Sequence, residues 1–456
     1  MLCFDKIIVG GGPCGIVLAL YLSQKKFQVS IYEKSHDPKI KSVPIQRAAN
    51  LDLSARGLLA LSEVGLLEQV LSVAIPTYGR VIHLPNDKQF TQDYDVVHQK
   101  PVYSISRERL NDLLLKSIEG NPFIKLHFDH ALISANFSEK SFLFEDRHKK
   151  EKVEIKSNWV FGCDGAFSRV REELSKIFPD NTNKLIFSHS YKEINFPYSF
   201  SKNLSNRHMH RWPRSNLSLV AHPNLDGSFT GTLILPNTGE NSFANLTNKL
   251  AVQKFFNHYF ADLSPIIPEL TEQFFDQPIG QLATISVKKQ QYKNALLLGD
   301  AAHTMLPFGG QGVNCALEDV RLLNELISRH PGRELENLMS SFALRRKSDT
   351  DAILEISSNK YIELNADYAP EKHMWMIELE KMLAERYPGL FIPYRNLIWF
   401  DHTAYSHAKQ YRDIQLKLFS HIISSFRTIQ EIKWEIVDKW MVDYEKDFLQ
   451  ITPDCE

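Results

Sequence analysis

The sequence predicts an α/β protein: a discontinuous dinucleotide-binding domain of Rossmann type, an antiparallel β-sheet domain, and a C-terminal helical subdomain. Three observations carry that prediction. Strand–turn–helix patterns occur at 6–34, 159–174 and 296–320, each with glycine at the turn. The intervening stretches 76–103 and 181–275 are rich in β-branched and aromatic residues with turn signals such as HPNLDGS, the mark of antiparallel strands. After about residue 346 the chain changes to long charged and apolar helical periods. The 456 residues are enough for two or three domains. The dinucleotide domain is assigned to 1–75, 104–180 and 276–345, the sheet domain to 76–103 and 181–275, and the helical subdomain to 346–456.

The first element is the most informative. KIIVGGGPCGIVLALYLSQKKFQVSIYEK (6–34) reads as an apolar strand, then Gly10, Gly12 and Gly15 at GxGxxG spacing, then a helix, then a second strand ending in Glu33. The first glycine permits the tight turn, the second lets a pyrophosphate approach the backbone, and the third lets helix pack on strand. The helix N-terminus presents free N–H groups to the phosphates, and Glu33 stands where a ribose hydroxyl needs an acceptor. Cys14, inside the loop, reads as a small filler.

The second element, WVFGCDGAFSRVREEL (159–174), ends a strand in Cys163-Asp164-Gly165 and opens a helix at Ser168, Arg169 and Arg171. A plain strand–turn–helix capped by Ser168 is the competing explanation. The third, LLLGDAAHTMLPFGGQGVNCALEDV (296–320), ends a strand at Gly299-Asp300, stops at Pro307, and passes through Gly309, Gly310 and Gly312 before a helix from Val313. A glycine-lined helix start offers backbone N–H groups to a flat, electron-rich ring or its negative charge. Gln311 and Asn314 are open to a second reading as turn and cap residues, and His303 reads as a packed histidine outside the chemistry.

Composition excludes several classes. The apolar fraction of 43% fits a large packed interior, and a formal net charge of −1 gives no reason to expect nucleic acid or an anionic membrane. The five cysteines are scattered, without CxxC or Cys/His spacing, which argues for reduced thiols in a cytoplasmic chain and against a metal. No stretch reaches the roughly 18 apolar residues of a membrane span, and the opening MLCFDKIIVGGGPCG reads as strand and turn rather than as a cleavable leader.

Taken in this order, the three motifs resemble the FAD-dependent aromatic hydroxylases, the single-component flavoprotein monooxygenases typified by p-hydroxybenzoate hydroxylase. Gly10, Gly12, Gly15 and Glu33 are similar to that family's ADP site, Asp164-Gly165 to its DG motif, and Gly299-Asp300 with Pro307 to Asn314 to its GD motif. RAANLDLSARGLLALSEVGL (47–66), GRVIH (79–83), YSISRERLNDLLL (103–115), HRWPRSNLSLVAHPNLDGSFTGTLILP (210–236), NKYIEL (359–364) and FIP (391–393) extend the resemblance to the kynurenine 3-monooxygenase branch over almost the whole chain.

That resemblance implies a glutathione-reductase-type FAD domain with tightly bound FAD. Gly10, Gly12, Gly15, Glu33, Arg47, Arg107, Asp164, Asp300, Pro307, Gly310, Gln311, Gly312, Val313 and Asn314 would hold it. It also implies NAD(P)H, NADPH in preference, and O2 as co-substrates, and hydroxylation of an aromatic amino acid or acid through a flavin hydroperoxide. Arg80 matches the arginine that pairs with the kynurenine carboxylate, and Asn359 an asparagine near the substrate's polar end. The pocket departs from the branch at two places. Pro101 stands where a tyrosine is expected, with Tyr103 two positions away, and Arg395 stands where a second is expected, with Tyr394 adjacent; Tyr394 and Arg395 join Arg80 and Asn359 as candidate substrate-binding residues. The resemblance implies L-kynurenine as the substrate; the two departures make a different aromatic acid the alternative, with a non-catalytic flavin-binding protein a remoter one.

Overall fold

The computed structural model describes residues 2–39, 50–85, 88–365 and 370–451. Its first sheet explains why three motifs so far apart in sequence can serve one site. The strand Leu2–Val9 lies between Val29–Tyr32 and Glu151–Gly162, parallel to both, and Ala295–Leu297 continues the parallel order beyond Glu151–Gly162. Val9, Gly162 and Leu297 thus end side by side. Backbone bonds continue past the strand ends: Cys163 N donates to Val9 O at 2.8 Å, and Leu298 N to Gly162 O at 2.9 Å. The three motif loops follow these carboxyl ends, where ligands of open α/β sheets bind.

Helix Pro13–Gln24 is buried from Cys14 to Ser23 and packs against helix Gly312–Arg329, so the first and third motifs share one core with Ile8, Leu18, Leu317 and Val320. A helix apolar all round needs such a doubly covered position. The outer edge of the sheet carries the antiparallel hairpin His130–Asn136 and Ser141–Asp146.

A second, seven-stranded sheet runs in the order Gly280–Val287, Thr182–Phe196, Phe229–Pro236, Leu217–Pro223, His208–Arg214, Gly79–His83, Gln89–Asp93. One face packs Phe196, Trp212 and Phe229 against Phe255, Phe256 and Phe274 of helices Lys249–Tyr259 and Ile267–Asp276. The division drawn from the sequence puts a dinucleotide-domain boundary at 276, yet Gly280–Val287 pairs with Thr182–Phe196 in this second sheet. The chain crosses back to the first sheet only after that strand, at Gln291–Tyr292. A small sheet of Asn50–Leu53, Val102–Ser106 and Ile75–Thr77 adjoins the flavin-motif side. Helices Leu335–Asn365, Pro370–Arg386, Tyr394–Trp399, Tyr405–Ser425 and Trp434–Ile451 form the C-terminal part around Ile353, Leu383, Phe391, Tyr405 and Leu418.

The second sheet holds a histidine pair, His210 buried and His83 half-buried. His210 Nε2 lies 3.0 Å from the Ser205 carbonyl and therefore carries the proton, which makes Nδ1 the acceptor for His83 Nε2–H at 2.8 Å. His83 also stacks on Trp212 at 4.3 Å. Burial lowers His210 to about 4 and, with the neighbouring His210 and Arg214 adding to it, His83 to about 3. Both folded values lie below the unfolded one near 6.5. The neutral pair therefore contributes stability that is complete above that pH and is lost as pH falls toward 4, by up to about 1.4 kcal/mol per pH unit for each ring. Urea unfolding at pH 7.5 and pH 5 is expected to show this loss, and a His83→Gln/His210→Gln variant a shallower one; equal slopes would contradict it.

Candidate functional site

The glycine loop is shaped by backbone contacts. Gly10 adopts φ +108°, and a Cβ there would lie 2.4 Å from the Cys163 carbonyl oxygen; at Gly15 it would lie 2.1 Å from the carbonyl oxygen of Gly10. Both positions demand glycine for steric reasons. Gly12 is different: it is the N-cap of the first helix, and a Cβ there would meet no protein atom within 4 Å. Gly165, Gly309 and Gly312 are open in the same way. Glu33 accepts from Gly11 N at 2.7 Å and from Ser35 N at 2.9 Å, which leaves carboxylate lone pairs for a further donor.

In the second motif, Asp164 Oδ2 accepts from Arg169 N at 2.6 Å and Val170 N at 3.2 Å, and Ser168 caps the same helix through Arg171 N at 3.0 Å. Asp164 Oδ1 is buried without a protein partner. Burial pushes the Asp164 carboxyl up against the opposing pull of these hydrogen bonds. Arg171 ties the second motif to the third, donating to Ala301 O at 2.9 Å and Ala166 O at 2.6 Å. Asp300 sits at the start of helix Asp300–His303; burial raises its carboxyl, while His303, Arg107 and Arg171 act against that. Arg107 is exposed at the start of helix Arg107–Ser117. Arg47 lies outside the described residues.

The third motif is held from the inside. Asn314 is fully buried; its Oδ1 accepts from Ser54 N at 2.9 Å, and its Nδ2 donates to Asp52 O at 2.7 Å and Gly310 O at 2.8 Å. Gly310 takes φ +60° and packs so closely that a Cβ would lie 2.8 Å from Trp399 Cη2. Pro307 is exposed, and Gly312 and Val313 are half-buried at the start of helix Gly312–Arg329. Gln311 is buried, with Oε1 accepting from Tyr405 and Nε2 without a protein partner. His303, set aside on sequence, is a buried packing group: its Nε2 lies 2.6 Å from Asp319 Oδ2. Burial opposes charge on that ring, but Asp319 outweighs it and raises the imidazole well above its ordinary value. His303, Asp319 and Cys315 lie together, yet the Arg346 guanidinium donates to both Asp319 (2.8 Å) and Cys315 Sγ (3.3 Å), an arrangement that suits an ion-pair cluster better than a cation site.

Trp399 leads from this loop to the candidate substrate residues. It stacks on Tyr94 with centroids 5.5 Å apart, and Tyr94 is only 6% exposed. Burial raises the Tyr94 phenol; Asp52 adds to the rise, and Arg80 and Arg395 pull against it. Arg80 Nε donates to Gln92 Oε1 at 2.6 Å, and Arg395 Nη1 to Asp93 O at 3.3 Å, so neighbouring residues of one strand support both guanidinium groups. Tyr394 turns the other way, under Arg412 (4.6 Å) and Lys360 (6.0 Å). Asn359 is half-buried on helix Leu335–Asn365, beside Lys360. The same helix carries Tyr361, which packs with Phe308, Leu306, Leu282 and Ile234 into an apolar cluster next to the loop. Tyr94, Trp399 and the Asp52–His222 pair (3.5 Å) were not singled out on sequence; QDYDVV and LIWF carry no motif spacing that could have marked them.

These features define a flavoprotein of the aromatic hydroxylase class. The chain belongs to the FAD-dependent aromatic hydroxylase family: residues 4–356 match the family model described as "FAD binding domain". It is 34% identical over 445 residues to a kynurenine 3-monooxygenase of Legionella pneumophila, covering 97% of this chain and 99% of that one. It is 37% identical over 409 residues to a kynurenine 3-monooxygenase of Drosophila willistoni, covering 88% of each. The fold is similar to that of the tetrameric form of 2-methyl-3-hydroxypyridine-5-carboxylic acid oxygenase, with TM-score 0.64, 18% identity, and coverage of 83% of this chain and 96% of that one. The protein is an FAD-dependent aromatic monooxygenase. The open glycines 12, 165, 309 and 312 and the unpartnered atoms of Asp164 and Gln311 fit such a cofactor. Among the described residues, no helix is long and apolar enough to cross a membrane.

Proposed function

We propose that the protein hydroxylates L-kynurenine to 3-hydroxykynurenine in tryptophan catabolism, consuming NADPH and O2. Arg80 is the observation that carries this reading: its guanidinium is braced by Gln92 beside Tyr94, and Tyr94 stacks on the tryptophan that touches Gly310 of the flavin loop. A braced, planar guanidinium suits bidentate capture of an amino-acid carboxylate. The whole-length likeness to proteins named kynurenine 3-monooxygenase supports the same substrate.

FAD held there would supply the electrophilic hydroxyl group, with NADPH and O2 as its co-substrates. The chain's own work is holding and drying. Gly10, Gly12 and Gly15 would let the pyrophosphate reach the first helix, Glu33 and Asp300 would accept from sugar hydroxyls, and Arg107, with Arg47, would face phosphate charge. Asp164 would close the second motif over the cofactor. Pro307 and the backbone from Gly310 through Val313 to Asn314 would seat the ring. Arg80 would hold the substrate carboxylate and Asn359 its polar end, with Arg395 beside Tyr94 and Tyr394 turned away under Arg412. The apolar cluster of Leu306, Phe308 and Tyr361 would exclude water from the reacting carbon. The substrate's own ring amino group activates that carbon, so no protein base is required.

Arg395 favours one second reading. It adds a cation near Tyr94, where the branch has a tyrosine, and a second cation suits an aromatic acid with more negative charge than kynurenine. NADPH oxidation by the purified protein, with and without L-kynurenine and with peroxide and product mass followed together, separates the two. The expected result is stimulated oxidation, little peroxide, and a product heavier by one oxygen. Arg80→Met should then lose about 10- to 150-fold in kcat/KM, the worth of a charged hydrogen-bonded pair. Stimulation that yields only peroxide, or none at all, would move the substrate to a different aromatic acid.

A further inference from the structure

A buried polar chain runs from the flavin loop into the C-terminal helices. Its first link is Gln311, 1% exposed, whose Oε1 lies 2.9 Å from the hydroxyl of Tyr405. Tyr405 is 0% exposed and opens helix Tyr405–Ser425. The Arg56 guanidinium lies 4.1 Å from its ring and that of Arg346 5.7 Å. Both arginines bind Glu318 on the helix that follows Gln311. Arg56 also donates to the carbonyls of Leu397, Ile398 and Thr403, the segment leading into Tyr405.

These neighbours decide which way the Gln311 amide points. Guanidinium groups are donors only, so neither arginine can accept the phenol proton. The proton goes to Gln311 Oε1, the acceptor at hand. With Oε1 fixed, Nε2 is a donor turned away from Tyr405, and it has no protein partner although buried. An unsatisfied buried donor costs about 1–3 kcal/mol, which a ligand acceptor would relieve. The loop around it has open space beside Gly309 and Gly312, on the motif that seats the flavin ring.

We propose that Tyr405 is a positioning residue for the flavin loop: its hydroxyl fixes the Gln311 amide so that Nε2 is offered to the cofactor as a hydrogen-bond donor. The C-terminal helices thereby take part in holding FAD although they lie outside the three dinucleotide motifs. The inference rests on FAD binding and is independent of which aromatic substrate is used.

The test is FAD release from the holoenzyme on dilution, followed by recovery of free-flavin fluorescence, without substrate. Tyr405→Phe keeps the ring beside the two guanidinium groups and removes only the hydroxyl. It is expected to speed release about 5- to 10-fold, as is Gln311→Met, and the double variant no more than either alone, because the two residues act as one unit. Gln311→Glu keeps the acceptor for Tyr405 but offers no donor, and should release FAD as fast as Gln311→Met. That variant carries the test if Tyr405→Phe does not fold. Release unchanged in Tyr405→Phe with only a lowered unfolding midpoint, release unchanged in Gln311→Glu, or multiplying effects in the double variant would each overturn the proposal. Wild-type protein that holds no flavin would instead overturn the assignment of the cofactor.

Discussion

Gly15→Ala is expected to give protein that purifies without its yellow colour. The new methyl carbon would lie 2.1 Å from the carbonyl oxygen of Gly10 and 3.2 Å from its carbonyl carbon, with Ile8 Cγ2 at 3.1 Å behind it. The nearest of these are backbone atoms, so no side-chain rotation relieves the overlap. The turn must move, and with it Gly11 and Gly12, where the pyrophosphate would approach. A loss of FAD affinity of at least about 100-fold is expected, equal to about 2.7 kcal/mol. Gly12→Ala is the informative partner. Gly12 has φ −81° and ψ −176°, which any residue adopts, and its Cβ would meet no protein atom within 4 Å. In the FAD-free protein it should lower the urea midpoint only by the small N-cap preference of glycine over alanine while weakening FAD, because only the ligand occupies that space. Flavin-to-protein ratio by visible absorbance, together with the unfolding midpoint, reads both. A fully yellow Gly15→Ala protein would refute the argument.

The contrast between those two glycines shows what a linear sequence can convey. Gly10, Gly15, Asp164 and Asp300 could be singled out because a strand–turn–helix with a close backbone crossing imposes residue types at fixed spacings. The parallel sheet then brings them together automatically: Leu2–Val9, Glu151–Gly162 and Ala295–Leu297 are neighbours and end level. Residues placed by convergence of distant segments leave no such trace. Tyr94 follows an edge strand and Trp399 ends a short C-terminal helix, yet the two stack beside the flavin loop. Tyr394 and Arg395 are adjacent in sequence and both are candidates for the substrate pocket, but the first faces Arg412 and the second the strand Gln89–Asp93 and its neighbour Tyr94. The strand Gly280–Val287 precedes the third motif in the chain, whereas its register belongs to Thr182–Phe196. In ALRRKSDT the two arginines look alike, but Arg345 is exposed and Arg346 is 2% exposed.

Replacing that buried arginine is expected to have the largest effect on stability. Arg346 lies 2.7 Å from Glu318 Oε2 and 2.8 Å from Asp319 Oδ1, and donates to Cys315 Sγ at 3.3 Å. Burial alone would raise both carboxyls. In Glu318 the opposing pull of Arg346 and Arg56 wins, and in Asp319 that of His303 and Arg346 wins, bringing Asp319 to about 2. Arg346→Met therefore leaves two buried carboxylates short of charge, with Arg56 and His303 as the remaining compensation. Breaking a buried pair from one side costs about 3–5 kcal/mol, so a large fall in the urea midpoint is expected. The pH dependence identifies the cause. A folded value near 2 for Asp319 lies below the ordinary carboxylate value, so its stabilisation is complete above about pH 4 and is lost as pH falls toward 2. In the variant His303 alone holds that carboxyl down, so the depression is smaller and less stability is lost as the pH falls. The stability gap between wild type and Arg346→Met should consequently narrow as pH drops through the carboxylate range. A gap that is small at neutral pH, or one that does not change with pH, would show that Arg346 acts through packing of its side chain rather than through the two acids.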